Sequence, residues 1–199
     1  MSKAGCLRLQ TGSLRSPAYA ARRVNGFTIV ELLIVMAIIL VLAGLILGTS
    51  GYVQKKGARS RAEAEVAAMS AALESYKADN GIYPRNAATD SLDPATPVTT
   101  YGEANRFLYG ALSGDADLNR SAENKSYFTF KPNMLEPVPP SPATVTAIRD
   151  PFGNSYGYST LKASNPAATS GNNPTFDLWS TGGTTSGSAA DQLQWIKNW

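Results

Sequence analysis

Few side chains in these 199 residues can do chemistry, and one of them sits where a charge is costly. Glu31 lies inside an apolar run from Phe27 to Leu47 that only Thr28, Glu31 and Gly44 interrupt. A carboxylate at a bilayer centre costs about 2.5–3.5 kcal/mol, and less near a helix end, so Glu31 needs a partner. The run itself holds no cation, so that partner must come from elsewhere. The rest of the inventory narrows the reaction classes. His is absent, which removes Ser-His-Asp and Cys-His catalysis and every His-bearing zinc site. The single Cys, Cys6, removes Cys-cluster metal sites and an intrachain disulfide. Fifteen Asp and Glu leave a paired-carboxylate enzyme open by composition. No such pair lies in a recognisable motif, however, and no Gly-rich phosphate loop precedes a helix.

The elements around Glu31 follow from periodicity. Twenty-one apolar residues, 27–47, at helical rise span about 30 Å, the thickness of a bilayer core. No proline falls between Pro17 and Pro84, so nothing forbids one helix from about Phe27 to Asp79, roughly 80 Å long. Over 48–80 the pattern becomes amphipathic. Ala62, Val66, Met69, Leu73 and Tyr76 form a stripe, with Glu63, Glu65, Glu74, Lys77 and Asp79 off it. Asn80-Gly81 is a helix stop, with Pro84 beyond. Gly44, Gly48, Gly51 and Gly57 each cost about 1 kcal/mol relative to Ala, so a short unwinding is expected there. Tyr156–Leu161 and Phe176–Ser180 alternate as strands, Asp150-Pro-Phe-Gly-Asn is a turn into the first, and Trp195–Trp199 suits a third. Between them, Leu92–Thr100 reads as loop, Tyr101–Leu112 as a short helix and Pro132–Pro142 as extended. The aromatics Tyr156, Tyr158, Phe176, Trp179 and Trp199 read as core facing a helix. The fold class is α+β: a long N-terminal helix, its first half transmembrane, packed through Val66, Met69, Leu73 and Tyr76 on a small C-terminal antiparallel sheet.

Charge is uneven. Residues 1–26 hold Lys3, Arg8, Arg15, Arg22 and Arg23 and no acid, leaving a net −2 on the other 173 residues. The basic excess is therefore confined to a targeting segment, and a nucleic-acid partner is not supported. Arg22 and Arg23 favour a cytoplasmic leader, against Lys55, Lys56, Arg59 and Arg61 past the other end of the run. Those four read first as a solvated helix face, with pairing to Glu63 or Glu65 of adjacent subunits as the sharper alternative. A secretory signal peptide competes, with Ala43-Gly44 as its cleavage site, but its apolar core is about 7–15 residues and holds no Glu near its start. A plain single-pass anchor with an incidental Glu competes on equal terms with that signal peptide, whereas a twin-arginine signal at Arg22-Arg23 and lipidation of Cys6 fit the flanking residues less well.

The junction Arg22-Arg23-Val24-Asn25-Gly26-Phe27-Thr28-Ile29-Val30-Glu31 resembles the prepilin signature. That resemblance implies removal of a basic leader, 1–26, by a membrane peptidase cutting after Gly26, and N-methylation of Phe27. It implies pairing of Glu31 with the new amine of a neighbouring subunit, a buried pair that sets register as well as affinity. Asn80-Gly-Ile-Tyr-Pro84, Asp150-Pro-Phe-Gly-Asn-Ser-Tyr-Gly-Tyr158, Phe176-Asp-Leu-Trp-Ser-Thr-Gly182 and Ile196-Lys-Asn-Trp199 resemble motifs of the major pseudopilins of type II secretion. Residues 86–149 depart from that family as a variable segment within a globular domain, 81–199, that ends in the sheet 150–199. The implied function is a structural subunit, not an enzyme, of a periplasmic filament. The implied place is the bacterial inner membrane, single-pass, with the C-terminal domain in the periplasm, and then the filament. The implied partners are copies of itself, minor pseudopilins, prepilin peptidase, the inner-membrane assembly platform, and lipid before assembly. A type IV pilin is the alternative, although pilins usually carry a C-terminal disulfide and no Cys follows Cys6. A membrane-anchored periplasmic enzyme and a monomeric binding module are the others.

Pseudopilins of this kind bind calcium in the loop after the Ser-x-Gly. Here the loop lacks the family's Asp soon after that motif, and Trp195 replaces the Asp before Ile-x-Asn-Trp. Calcium takes about six to eight oxygens, and only Asp191 remains as a local carboxylate, with carbonyls of Leu178 and Ser180 as candidates. No cofactor is therefore expected, and at most a weak calcium site at Leu178, Ser180 and Asp191. Trp195 is expected to pack over the sheet and fix the loop instead.

Overall fold

The computed structural model describes residues 26–140 and 143–199, apart from the side chains of Thr49 and Ser50. Residues 1–25, which hold Cys6, Arg22 and Arg23 and all but the last residue of the expected leader, and the Ser141-Pro142 step lie outside the described residues. Helix α1 runs Ile29–Asn80 and ends where Gly81 takes φ +80°, a conformation that favours glycine. The expected unwinding at the glycines is not found. Gly44, Gly48, Gly51 and Gly57 are all helical, so their propensity cost is too small to break the backbone bonds on either side.

The chain divides into two units, 1–47 and 48–199. In the first, the described residues are helical from Ile29 and their apolar side chains are exposed, from about half for Val35 to 85% for Phe27. A helix of this length and composition suits a bilayer.

The second unit is α+β. After α1 come α2 (Ala87–Ser91), α3 (Gly102–Ser113), α4 (Leu161–Ser164) and α5 (Ala189–Gln192). Two antiparallel sheets accompany them: β1 (Leu135–Glu136) with β2 (Ala147–Ile148), and β3 (Gly157–Ser159), β4 (Asp177–Ser180) and β5 (Ile196–Lys197) in the order β3-β4-β5. Tyr158 pairs with Leu178, Gly157 with Trp179, and Ser180 with Ile196. The stretch expected to be extended after Pro132 opens instead with a 3-10 turn, Pro132–Met134, that leads into β1.

The three-stranded sheet is covered on both faces. Successive strand side chains point to opposite faces. Tyr156, Tyr158, Phe176 and Leu178 join Ala62, Val66, Met69 and Leu73 of α1 and Leu108 and Leu112 of α3 in the main core. Tyr76, expected in the stripe, is half-buried against Tyr127, with ring centroids 5.1 Å apart. Trp179 departs from the expectation that every aromatic faces the helix. It lies on the reverse face with Trp195, Tyr101, Leu92 and Ala104, and Trp199 packs at its edge. Gly157 makes room for it: a Cβ there would lie 2.0 Å from the Trp179 ring.

Asn105 of α3 ties the layers together. Wholly buried, it donates through Nδ2 to the carbonyls of Ile148 (3.1 Å) and Tyr156 (2.8 Å) and accepts from the Ile148 N–H. A buried polar side chain is tolerated when its partners are supplied in this way.

Candidate functional site

Thr28 is the residue before α1, and its position explains where the Glu31 carboxylate goes. The first N–H groups of a helix lack intrahelical partners. Thr28 Oγ1 accepts from the Glu31 N–H at 3.2 Å. In return, Glu31 Oε2 accepts from the Thr28 N–H and from the Thr28 hydroxyl, both at 2.9 Å. This reciprocal arrangement is a capping box, and it follows from Thr-x-x-Glu spacing at a helix start. The spacing was legible as a cap, yet the sequence reading took Thr28 only as part of the junction. The box folds the Glu31 side chain back onto Thr28, the residue after Phe27, rather than farther along the helix. Gly26, Phe27 and Glu31 are all exposed, and Gly26 has open space where a Cβ would stand. The structure thus brings Phe27, Thr28 and Glu31 into one short segment, with two donors on the acid and no cation paired with it among the described residues.

Residues 21–47 match the family model described as the prokaryotic N-terminal methylation motif. The chain carries the prepilin-type signature. That signature spans the end of the expected leader, the capping box and the apolar part of α1, and it is the mark of type IV pilin-like proteins, pseudopilins included. It supports a type IV pilin-like protein. No curated protein and no solved structure matches the chain.

The candidate calcium residues do not form a site that fits the ion. Leu178 and Ser180 are wholly buried strand residues. The Leu178 carbonyl accepts from the Asn198 N–H at 3.2 Å, and the Ser180 hydroxyl donates to Asp150 at 2.6 Å. Asp191 Oδ2 accepts from the Ser186 N–H (3.1 Å) and from the Ser186 hydroxyl. Asp191 joins no trio of carboxylates among the described residues, which is short of the six to eight oxygens that calcium takes. The trio that does converge is Asp115, Asp117 and Glu123, with oxygens within 4.8 Å of one another. Asp115 is already engaged by the Tyr109 hydroxyl and by the N–H groups of Asn119 and Arg120.

Glu65 is where the sequence expectation needs correction. It was placed off the apolar stripe and offered to adjacent subunits, but it is 5% exposed. Its Oε2 accepts from the Tyr156 hydroxyl at 2.6 Å, while Oε1 is buried with no hydrogen-bond partner among the described residues. Position 65 is one residue from Val66, about 100° around the helix, so the domain wraps wide enough to cover both. Burial, and then the Glu65 carboxylate, push the Tyr156 hydroxyl up, so it stays a donor at any ordinary pH. Glu63 instead pairs with Arg59 on the exposed face of α1, at 3.3 Å. Asp150, read from sequence as turn chemistry, is 5% exposed and holds its own turn. Its Oδ1 accepts from the Phe152 N–H (3.0 Å) and the Asn154 N–H (2.8 Å), and burial outweighs these bonds to raise its carboxyl above the usual range.

Proposed function

We propose that the protein is a structural subunit of a periplasmic pseudopilus of a type II secretion system. It is made as a precursor whose residues 1–26 are a basic leader. Prepilin peptidase hydrolyses the bond between Gly26 and Phe27 on the cytoplasmic side, and the new amine at Phe27 is methylated. Residues 27–47 then hold the subunit in the inner membrane, and the rest of α1 and the globular domain stand in the periplasm. The observation that carries this reading is the capped helix start. Gly26-Phe27 precedes a Thr28–Glu31 box, and behind the box stands an apolar helical segment whose side chains are uncovered.

The physical case for polymerisation rests on what Thr28 can and cannot do for Glu31. Two hydrogen bonds satisfy part of the carboxylate, but they leave its charge uncompensated in hydrocarbon. Cleavage creates an ammonium at Phe27 on every subunit. An ammonium of one copy meeting the carboxylate of another neutralises both, and does so only at one stagger of the two helices. The uncovered apolar side chains of 27–47 pass from lipid to neighbouring helices in the same step, where the small residues Ala43, Gly44 and Gly48 permit close approach. A type IV pilus subunit is the second reading, and the absence of any Cys after Cys6 favours the pseudopilus.

The test is the mass of the N-terminal peptide from membranes of a host with active prepilin peptidase. The expected peptide begins at N-methyl-Phe27; a mature chain that keeps residues 1–26 refutes the proposal. Glu31→Ala is expected to remain inserted and stable but to be missing from sheared filaments. Normal incorporation of that variant would show that the carboxylate does not set the register.

A further inference from the structure

The loop after Ser180-Thr181-Gly182 is the place where the resemblance led to calcium and the donor set does not fit it. Something else must hold a stretch so rich in glycine and small polar residues. The bonds made by the loop identify what does.

Trp195 replaces an acid that the resemblance would put before Ile-x-Asn-Trp, and its indole does two things at once. It stacks on Trp179, with ring centroids 5.7 Å apart and planes 7° from parallel. Its Nε1–H donates to Thr184 Oγ1 at 3.0 Å. Trp195 is 3% exposed, so loss of this bond leaves a buried donor unpaired. The stack fixes the direction in which Nε1 points, and Thr184 is the residue of the loop that meets it.

The other side of the stack closes a circuit. Trp179 Nε1–H donates to the Tyr101 hydroxyl at 3.2 Å, and the Tyr101 hydroxyl donates to the Thr96 carbonyl at 3.2 Å. The segment around Thr96 and Val98 is the one that the loop touches next. The Val98 N–H donates to the Thr185 carbonyl at 3.1 Å. Gly187, at φ +73°, comes so close that a Cβ would lie 2.5 Å from the Thr96 carbonyl oxygen. At the loop's start, Asn154 Nδ2 donates to Thr181 Oγ1 (2.9 Å) and to the Thr184 carbonyl (3.0 Å).

We infer that the loop 181–190 is clasped without a metal ion, by Trp195 hydrogen-bonded to Thr184 and stacked on Trp179, whose bond to Tyr101 ties in the 95–101 segment. The clasp takes the role that a cation has in the resembling proteins: it joins the loop to the last strand and to the reverse face of the sheet. It uses neutral groups only, so it is independent of calcium concentration. The inference does not depend on the filament reading, because it concerns one subunit's own residues.

The test is hydrogen exchange, read by mass spectrometry, on the full chain in detergent micelles. Peptides covering 181–190 are followed in wild type, Thr184→Val and Trp195→Phe. Thr184→Val keeps the shape and removes the acceptor; Trp195→Phe keeps an aromatic ring over Trp179 and removes the donor. Each is expected to speed exchange in 181–190 by about tenfold. Wild-type exchange there is expected to be the same with a chelator as with about 5 mM calcium, a level above the needs of the weakest protein calcium sites. Faster wild-type exchange of 181–190 under chelator overturns the inference, and so does calcium restoring protection to either variant. Unchanged exchange in both variants overturns it as well. The readout is confined to the loop, so a cation taken up by the carboxylates of Asp115, Asp117 and Glu123 does not register.

Discussion

Replacing Tyr156 with Phe removes one oxygen atom from the centre of the domain and exposes how the buried acid Glu65 is tolerated. Tyr156 is wholly buried, and its hydroxyl is the hydrogen-bond donor to Glu65 Oε2, at 2.6 Å. The other carboxylate oxygen, Oε1, is buried with no hydrogen-bond partner among the described residues. After Tyr156→Phe the buried carboxylate loses that donor. Breaking a buried charged interaction from one side costs about 3–5 kcal/mol, and a hydrogen bond to a charged group about 1.5–3. We take about 3 kcal/mol. For a domain of this size that is roughly 6–12 °C in the unfolding midpoint. The partner substitution behaves differently. Glu65→Gln removes the charge, keeps an acceptor for the Tyr156 hydroxyl and keeps the shape, so it is expected to stay within about 1 kcal/mol of wild type. Glu65→Leu with Tyr156→Phe removes both polar groups together. It is expected to recover most of the loss of Tyr156→Phe alone, since an apolar pair of similar volume replaces a buried polar one at little cost.

The assay is thermal unfolding of the full chain in detergent, followed by near-ultraviolet circular dichroism, which reads the packed aromatic rings of 48–199. The asymmetry between the two partners is what is tested. A Tyr156→Phe effect below about 0.5 kcal/mol means that the hydroxyl does not support the acid. A Glu65→Gln effect as large as that of Tyr156→Phe means that the charge itself is needed, and that Glu65 answers to a cation rather than to Tyr156.

Two further outcomes follow from the same domain. Gly157→Ala sets a methyl 2.0 Å from the Trp179 indole and so forces apart the Trp179–Trp195 stack. A loss of about 3 kcal/mol in the same unfolding assay is expected, at the upper end for overpacking, and near-wild-type stability would show that the ring has room to move. Asp150 gives a pH dependence of unusual sign. Its folded carboxyl lies above the unfolded value near 3.8 because burial penalises the charged form. The native state therefore binds the proton more readily than the unfolded chain, and this contribution to stability rises as pH falls through that window. Midpoints of wild type and Asp150→Asn at neutral pH and near pH 4.5 are expected to move in wild type's favour on acidification; a difference that shrinks instead removes burial as the cause.

What could be read from sequence divides by range. The long helix was legible because proline is absent over it and because Ala62, Val66, Met69 and Leu73 repeat at helical steps, all four of which are buried. Two of the three strands were legible as alternation and the third only as a tail that suits a strand, each being only two to four residues long. Short strands have few residues with which to announce a register. Glu65 was not legible. Its burial depends on Tyr156, 91 residues away, and nothing in the helical pattern near position 65 marks a charged residue as covered. Asn105 is similar, since its partners are backbone groups at 148 and 156 that only the fold brings near. Trp179 was rightly expected in a core but on the wrong face, because the covering segment 92–104 looked like loop and short helix with no stated destination. At the helix start the failure was of another kind. The Thr-x-x-Glu spacing was present in the chain, and its capping chemistry went unread because the same residues also spell the prepilin-type junction.

The buried acids of the domain sharpen the case for Glu31. Asp150 accepts from two backbone N–H groups and a serine, and Asp177 from the N–H groups of Asn172 and Asn173. Glu65 accepts from a tyrosine. Each of these carboxylates draws its donors from its own chain, and each lies in an interior built around it. Glu31 has a donor pair as well, but its surroundings are apolar side chains with nothing packed over them. In water that arrangement is an ordinary helix cap. In hydrocarbon the same two bonds are insufficient, because hydrogen bonding lowers the cost of a buried charge without supplying the opposite one. No ion pair among the described residues includes Glu31, and its apolar neighbours Phe27 to Leu47 hold no basic residue. On the proposed filament reading, the capping box makes the carboxylate tolerable for one subunit in a membrane and leaves it unfinished, and a second copy with a free amine at Phe27 is the smallest addition that would complete it.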